Sequence, residues 1–235
     1  MAIYVSSDIH GYPLSRFLQM LDFAGFGKDD KLYILGDVID RNGDGGVEML
    51  RWIVREPRVT LIRGNHEQMM LDSEWVFATV DEENVEGVTD AGIEAVTLWQ
   101  FNGGDVTMST MQKLLHEDSG AVAEILDYLK KTPLCQVVEA GDNTFVLCHA
   151  GFKDFDDEKK LSDYSTHDLL WNRPDPEDEY FLDAITVIGH TPTVYFGKEG
   201  RAYNTATWID IDVGGAMGKP PMLLRLDDLR AFYFD

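Results

Sequence analysis

Apolar residues follow two rhythms along this chain. Short runs at 2–5 (AIYV), 31–35 (KLYIL), 58–62 (RVTLI), 144–148 (TFVLC) and 185–188 (ITVI) are rich in β-branched or aromatic residues and bounded by glycine or polar positions. Such runs predict buried strands. Between them lie stripes of helical spacing: Leu14, Phe17, Leu18 and Leu21, then Val47, Leu50 and Val54 up to Pro57, then Val122, Ile125, Leu126 and Leu129 before Pro133. Each predicts an amphipathic helix. Strand–helix–strand alternation implies a largely parallel or mixed sheet with helices packed outside it. Near the C-terminus, TWIDIDVG and MLLRLDDLRAFYFD read as strands, with a turn near Asp227-Asp228 that predicts an antiparallel hairpin. Residues 68–131 are looser, with DEENVEGVTDAG and FNGGD loop-like among helical pieces, and are read as an inserted, mostly helical cap or side element within a single domain of residues 1–235. The acidic run 153–168 and RPDPEDE at 173–179 read as solvated loops.

The core strands end alike. They run into Ser7-Asp8-Ile9-His10-Gly11, Gly36-Asp37-Val38-Ile39-Asp40-Arg41, Gly64-Asn65-His66-Glu67, Cys148-His149-Ala150-Gly151 and Gly189-His190-Thr191-Pro192. Parallel neighbours bring their C-terminal ends to one sheet edge, where ligand sites of open α/β folds gather. The adjacent glycines let the backbone turn sharply there. Asp8 and His10 are two apart and would project to one side of an extended chain. Carboxylates and imidazoles with an Asn amide suit Mn²⁺, Fe or Zn²⁺ better than Ca²⁺, which prefers oxygen alone. The set is too large for one ion with an open position. Two ions sharing a carboxylate, about 3.5–4 Å apart, fit better, and water bridging them would be hydroxide near neutral pH.

Charge narrows the partners. Against 20 basic residues stand 42 acidic ones, a net charge of −22. That opposes general binding to nucleic acid or anionic membranes, and an anionic substrate must be drawn by a local feature such as a metal or a placed arginine. The two cysteines, Cys135 and Cys148, form neither a metal-finger spacing nor a disulfide framework, which points to a reducing cytoplasm. No signal peptide or membrane span is read from the sequence. Apolar residues at 44% are enough for a substantial core.

The blocks SDIHG, GDVIDRN, GNHE, HAG and GHTP, in that order, resemble the calcineurin-like metallophosphoesterases. More narrowly they resemble the phosphoprotein phosphatase group, whose blocks are GDxHG, GDxxDRG and GNHE followed by two isolated histidines. The resemblance runs from the first strand to IDIDVGG, apart from residues 68–131, and that segment looks like the smaller bacterial and phage-type members. It implies an α/β fold, a four-layer α/β/β/α sandwich. It also implies that Asp8 and His10 hold one divalent ion, that Asp37 bridges, and that Asn65, His149 and His190 hold the second. Mn²⁺ is the foremost expectation, with Fe or Zn²⁺ as alternatives. By the same resemblance Arg41 and Arg173 clamp phosphate oxygens, His66 protonates the leaving oxygen and Asp40 orients His66.

The implied activity is two-metal hydrolysis of phosphate monoesters without a phospho-enzyme, foremost phosphoserine or phosphothreonine in proteins. Symmetrical hydrolysis of dinucleoside polyphosphates such as diadenosine tetraphosphate is the enzymatic alternative, and a non-catalytic phospho-ligand module the alternative of another class. Two departures stand out: Asn42 where the group has glycine, and Ser7 before Asp8. Glu67 reads as a supporting acid, Cys148 as a small buried side chain, and His116 and His167 as ordinary histidines. Asp212 and Gly214 read as support. Trp171 and Trp208 either line the site or pack, and Tyr203 and Asn204 lie where substrate contact is conceivable.

Overall fold

The computed structural model describes residues 1–78 and 89–234. The loop reading of 81–88 therefore lies outside the described residues. The first sheet holds β1 (Ile3–Ser6), β2 (Lys31–Leu35) and β3 (Val59–Ile62), with β9 (Leu223–Arg225) and β10 (Arg230–Phe232), in the order β10-β9-β1-β2-β3. The second holds β4 (Cys135–Ala140), β5 (Asn143–Cys148), β6 (Ile185–Ile188), β7 (Tyr203–Asn204) and β8 (Trp208–Asp210), in the order β4-β5-β6-β8-β7. The parallel pairs are β1–β2, β2–β3, β5–β6 and β6–β8, while β1–β9, β9–β10, β4–β5 and β7–β8 are antiparallel. The expected hairpin is β9–β10, with Arg225 opposite Arg230.

The two-residue period of each strand sorts its side chains between layers. Ile3, Val5, Tyr33, Leu35 and Ile62 from the first sheet meet Phe145, Leu147, Val187 and Ile209 from the second in one buried cluster, so the sheets form a sandwich. The alternate residues Tyr4, Leu32, Ile34 and Leu61 face helices. Those helices are α1 (Leu14–Ala24), α2 (Val47–Arg55), α3 (Asn65–Asp72), α4 (Asp90–Phe101), α5 (Asp105–Glu117) and α6 (Ser119–Lys131). Trp99 of α4, Met111 and Leu114 of α5, and Val122, Ile125 and Leu129 of α6 lie in the same cluster as Ile34 and Leu50. The helices of the 68–131 segment thus share the main core.

On the opposite face the helical layer is thin. Val146, Cys148, Ile188 and Trp208 are covered by Phe152, Tyr164, Leu169 and Tyr180, with one short helix, α7 (Thr166–Leu170), inside the run read as a solvated loop. Edge-to-face contacts of Phe152 with Tyr164, Tyr180 and Phe181, at centroid distances of 5.1, 5.5 and 5.5 Å, close that face where a helix would otherwise lie. Two strands escape sequence reading. β4 is an edge strand with Gln136 and Glu139 interrupting its apolar residues, and β7 is two residues long. Among the described residues no helix is long and apolar enough to cross a membrane.

Candidate metal centre

β1 stops at Ser6, so Asp8 and His10 do not lie in extended chain. The two-apart strand argument for their common direction fails. Both adopt left-handed backbone instead, with φ 49° and 43°, as do Asp37 (53°), Asp40 (76°), Arg41 (70°) and His190 (69°). Six of the eight described non-glycine residues with positive φ thus belong to the predicted site. Such conformations are costly and persist where surrounding structure enforces them. Here the loops are laced together: His10 N–H donates to the Asp37 carbonyl at 2.9 Å and Gly11 N–H to that of Val38 at 2.9 Å. Gly36, at φ 82°, turns so close to its neighbours that a Cβ would lie 2.8 Å from His149 Nδ1.

Asp37 is the centre of the arrangement. Its Oδ2 lies 3.6 Å from His10 Nε2 and 3.8 Å from His66 Nε2, and its Oδ1 lies 3.4 Å from His149 Nε2. Two triads of donor atoms, His10–Asp37–His66 and Asp37–His149–His190, each lie within 4.8 Å of one another and share this carboxylate. Asp8 joins the first, its Oδ1 3.9 Å from His10 Nε2. Asn65 joins the second, its Oδ1 2.9 Å from His149 Nε2. Asp8 Oδ2 accepts from the His190 backbone N–H at 2.9 Å and from the Ser7 hydroxyl, which gives the unusual Ser7 a role as an orienting donor. His10 Nδ1 donates to the Ile39 carbonyl at 3.0 Å and His149 Nδ1 to that of Leu35 at 2.6 Å. This assignment leaves both Nε2 lone pairs directed at the carboxylates.

The electrostatics call for cations. Burial raises the carboxyl groups of Asp8, Asp37, Glu67 and Asp210 above the usual range. Repulsion adds to this, from Asp212 on Asp8 and from Asp8 on Asp37. Asp212 is pushed up to about 6 and Asp40 to about 7, again by burial first. Burial likewise drives His66 and His149 down to about 3 and holds His10 and His190 well below the ordinary imidazole value. His190 Nε2 and Asp210 Oδ2 are buried with no hydrogen-bond partner among the described residues. Packing so many acids and neutral imidazoles together is unfavourable unless positive charge joins them. Divalent ions supply it, and the mixed nitrogen and oxygen donors fit Mn²⁺, Fe or Zn²⁺.

Ions compete with protons for these groups, so added Mn²⁺ is expected to raise the thermal midpoint at pH 7.5 and to do so much less at pH 5. A shift of equal size at both pH values, measured by differential scanning fluorimetry, would place the binding elsewhere.

Glu67 is buried and acts through backbone. It accepts from the N–H groups of Asp37 (2.9 Å), Val38 (2.8 Å) and Gly64 (3.0 Å), pinning the second and third strand ends together. His66 Nδ1 meets Asp40 Oδ2 at 2.6 Å. Asp40 in turn accepts from Trp99 Nε1 at 2.9 Å and from the Thr107 hydroxyl at 2.5 Å. Trp99 and Thr107 are site-supporting residues that sequence reasoning missed. No local signal marks them, because their partners are distant in sequence.

A cleft of about 220 Å³ opens onto Asp8, Asp37, Asn65, His66 and His190. Arg41 and Arg173 line it and are exposed. Arg41 Nη2 is 3.5 Å from His66 Nε2, and Arg173 Nη1 donates to the His190 carbonyl at 3.2 Å. Trp171, Tyr195 and Asp212 also line the cleft. Trp208 is packed away, its Nε1 donating to the Asp178 carbonyl at 2.9 Å, and Tyr203 stacks on Phe196 at 4.6 Å. Gly214 N–H donates to Asp212 Oδ1 at 2.9 Å. His116 and His167 are exposed on helices, and Cys148 is fully buried.

The sequence profile described as Calcineurin-like phosphoesterase matches residues 1–213. Serine/threonine-protein phosphatase 1 of Salmonella typhimurium is 29% identical over 231 residues, covering 95% of this chain and 91% of the relative. The symmetrical bis(5'-nucleosyl)-tetraphosphatase of Legionella pneumophila is 27% identical over 245 residues, covering 94% of this chain and 74% of the relative. The crystal structure of a candidate diadenosine tetraphosphatase superposes with a TM-score of 0.61 at 14% identity, covering 99% of this chain and 92% of the other, which shows a shared fold.

Proposed function

Because the chain belongs to the calcineurin-like phosphoesterases and is a metal-dependent phosphoester hydrolase, we propose that it removes phosphate from phosphoserine and phosphothreonine in proteins, using two divalent ions, foremost Mn²⁺. The observation that carries the two-metal reading is the position of Asp37, a single buried carboxylate common to both donor triads. The near-complete mutual coverage with the Salmonella serine/threonine phosphatase supports the choice of substrate. In this reading Asp8 and His10 hold one ion, Asn65, His149 and His190 the other, and Asp37 both. When bound, the ions supply an acidified water as nucleophile and neutralise charge on the phosphoryl oxygens.

The remaining roles fall to the chain itself. Arg41 and Arg173 line the cleft with no acidic partner among the described residues, and each guanidinium can grip two phosphate oxygens, which positions phosphorus for in-line displacement. Asp40 fixes His66 through Nδ1, so Nε2 faces the cleft, where it gives a proton to the departing oxygen. The charge of −22 supports a substrate other than nucleic acid or membrane, and the unpaired thiols support a cytoplasmic setting.

A second reading has its own support. Trp171 and the exposed Tyr195 on the cleft wall offer faces on which a nucleobase could stack, as symmetrical hydrolysis of diadenosine tetraphosphate would require. Turnover of a phosphoserine peptide and of diadenosine tetraphosphate, with Mn²⁺ and at equal concentration, separates the two. Faster turnover of the peptide is the expected result. Faster cleavage of the dinucleotide would move the substrate to the second reading, and binding of phosphopeptide with no turnover of either compound would make the protein a phospho-ligand module.

A further inference from the structure

Beside the cleft lies a larger groove, of about 420 Å³, lined by Tyr12, Pro13, Arg16, Asn42, Lys219 and Pro220. It touches the metal centre directly, because His10 borders both. The turn at 215–218 divides them: Ala216 and Met217 line the cleft, Gly215 and Gly218 the groove. Asn42 ties this partition together. Its side-chain amide donates to the His10 carbonyl at 3.0 Å and to the Gly215 carbonyl at 3.2 Å. The residue that departs from the usual glycine therefore builds the wall shared by cleft and groove.

The groove carries positive charge on a strongly acidic protein. Arg16 is exposed and makes no ion pair with a described residue. It also stands in the first turn of α1, which has no acidic residue to balance it, and where a cation opposes the helix dipole. Helix stability therefore gives no reason for an arginine there. Among the described residues Lys219 pairs with Glu199 alone, at 2.8 Å, the two side chains being 36% and 76% exposed. Pairs of that kind are weak and readily exchanged for another anion. On a protein with 42 acidic residues against 20 basic, the lining of this groove holds two cations, Arg16 and Lys219, and no acidic residue.

We propose that this groove is a substrate subsite. It receives an acidic side chain close to the phosphorylated residue, which Arg16 and Lys219 select by charge while Tyr12 and Pro13 pack against the peptide. The proposal rests on the phosphoprotein reading above and adds to it a preference for acidic sequence context.

The test uses the Mn²⁺-loaded full chain and a set of phosphoserine peptides. Each peptide carries one glutamate at a successive position around the phosphoserine, and all are compared with a neutral parent. At the best position kcat/KM is expected to exceed that of the parent about fivefold, the scale of an exposed ion pair. High salt should compress the ratio. The double variant Arg16→Ala, Lys219→Ala should bring it close to one, while Arg16→Lys should keep most of it. Because the ratio is taken within one preparation, partial misfolding of a variant does not disturb it. Equal rates on all peptides, or a preference that survives the double variant, would overturn the subsite while leaving the phosphatase reading standing. Hydrolysis of p-nitrophenyl phosphate with none of any peptide would overturn both.

Discussion

Asp37→Asn is expected to cost both ions and to reduce phosphate release by more than about a thousandfold. Asp37 lies between the two triads, with Oδ2 near His10 and His66 and Oδ1 near His149. Asparagine keeps the shape and can still accept the His66 backbone N–H that now meets Asp37 Oδ1 at 3.1 Å. It removes the one negative charge common to both donor groups. Elemental analysis should therefore fall from about two ions per chain to below one. Stability supplies a check that a simple folding defect would fail. Asp37 is raised by burial, then by repulsion from Asp8 and Glu67. Without metal, a neutral amide relieves that repulsion, so in chelator the variant should melt no lower than the parent. With Mn²⁺ the parent should gain stability and the variant should not. Retention of two ions with measurable turnover would show that Asp37 is not the shared ligand.

Much of this centre was legible because its residues sit at strand ends. A buried strand is short and apolar, so the polar group that follows it is conspicuous, and five such ends beside glycines repeat the signal. What the sequence hid was geometry that depends on distant partners. The strand-period argument placed Asp8 and His10 on one side for the wrong reason, since left-handed turns after Ser6 do the work. Trp99 and Thr107 lie about 60 residues from Asp40 in segments that read as peripheral helices, yet both donate to its carboxylate. Their own patterns signal only helix and core. The thin outer layer over the second sheet was illegible for a similar reason. Its cover is an aromatic cluster gathered from loops at 152–181, and loops carry no period to read. Asn42 was legible as an oddity, while its two carbonyl partners were not.

His66→Asn is expected to do something different from Asp37→Asn, and the contrast tests the assignment. His66 is close enough to His10 and Asp37 to be counted with them as a metal-binding triad, so a ligand role is a physical alternative. Its Nδ1 contact with Asp40, at 2.6 Å, argues for a proton donor instead. Burial first, and then the Arg41 guanidinium, lower His66 to about 3, and burial raises Asp40 to about 7. Burial is the first cause of both shifts. A phosphate dianion gripped by Arg41 brings negative charge beside Nε2. That favours the imidazolium, so His66 becomes an acid when substrate is present. Asparagine cannot give that proton. Turnover of a phosphoserine peptide should fall by about 10²–10⁴, the usual worth of a positioned general acid. The loss should be far smaller on p-nitrophenyl phosphate, because a weakly basic leaving oxygen departs without a proton. Metal content should stay near two ions per chain. Metal loss as deep as that of Asp37→Asn, with equal rate losses on both substrates, would make His66 a ligand and leave the leaving-group proton to another donor in the cleft.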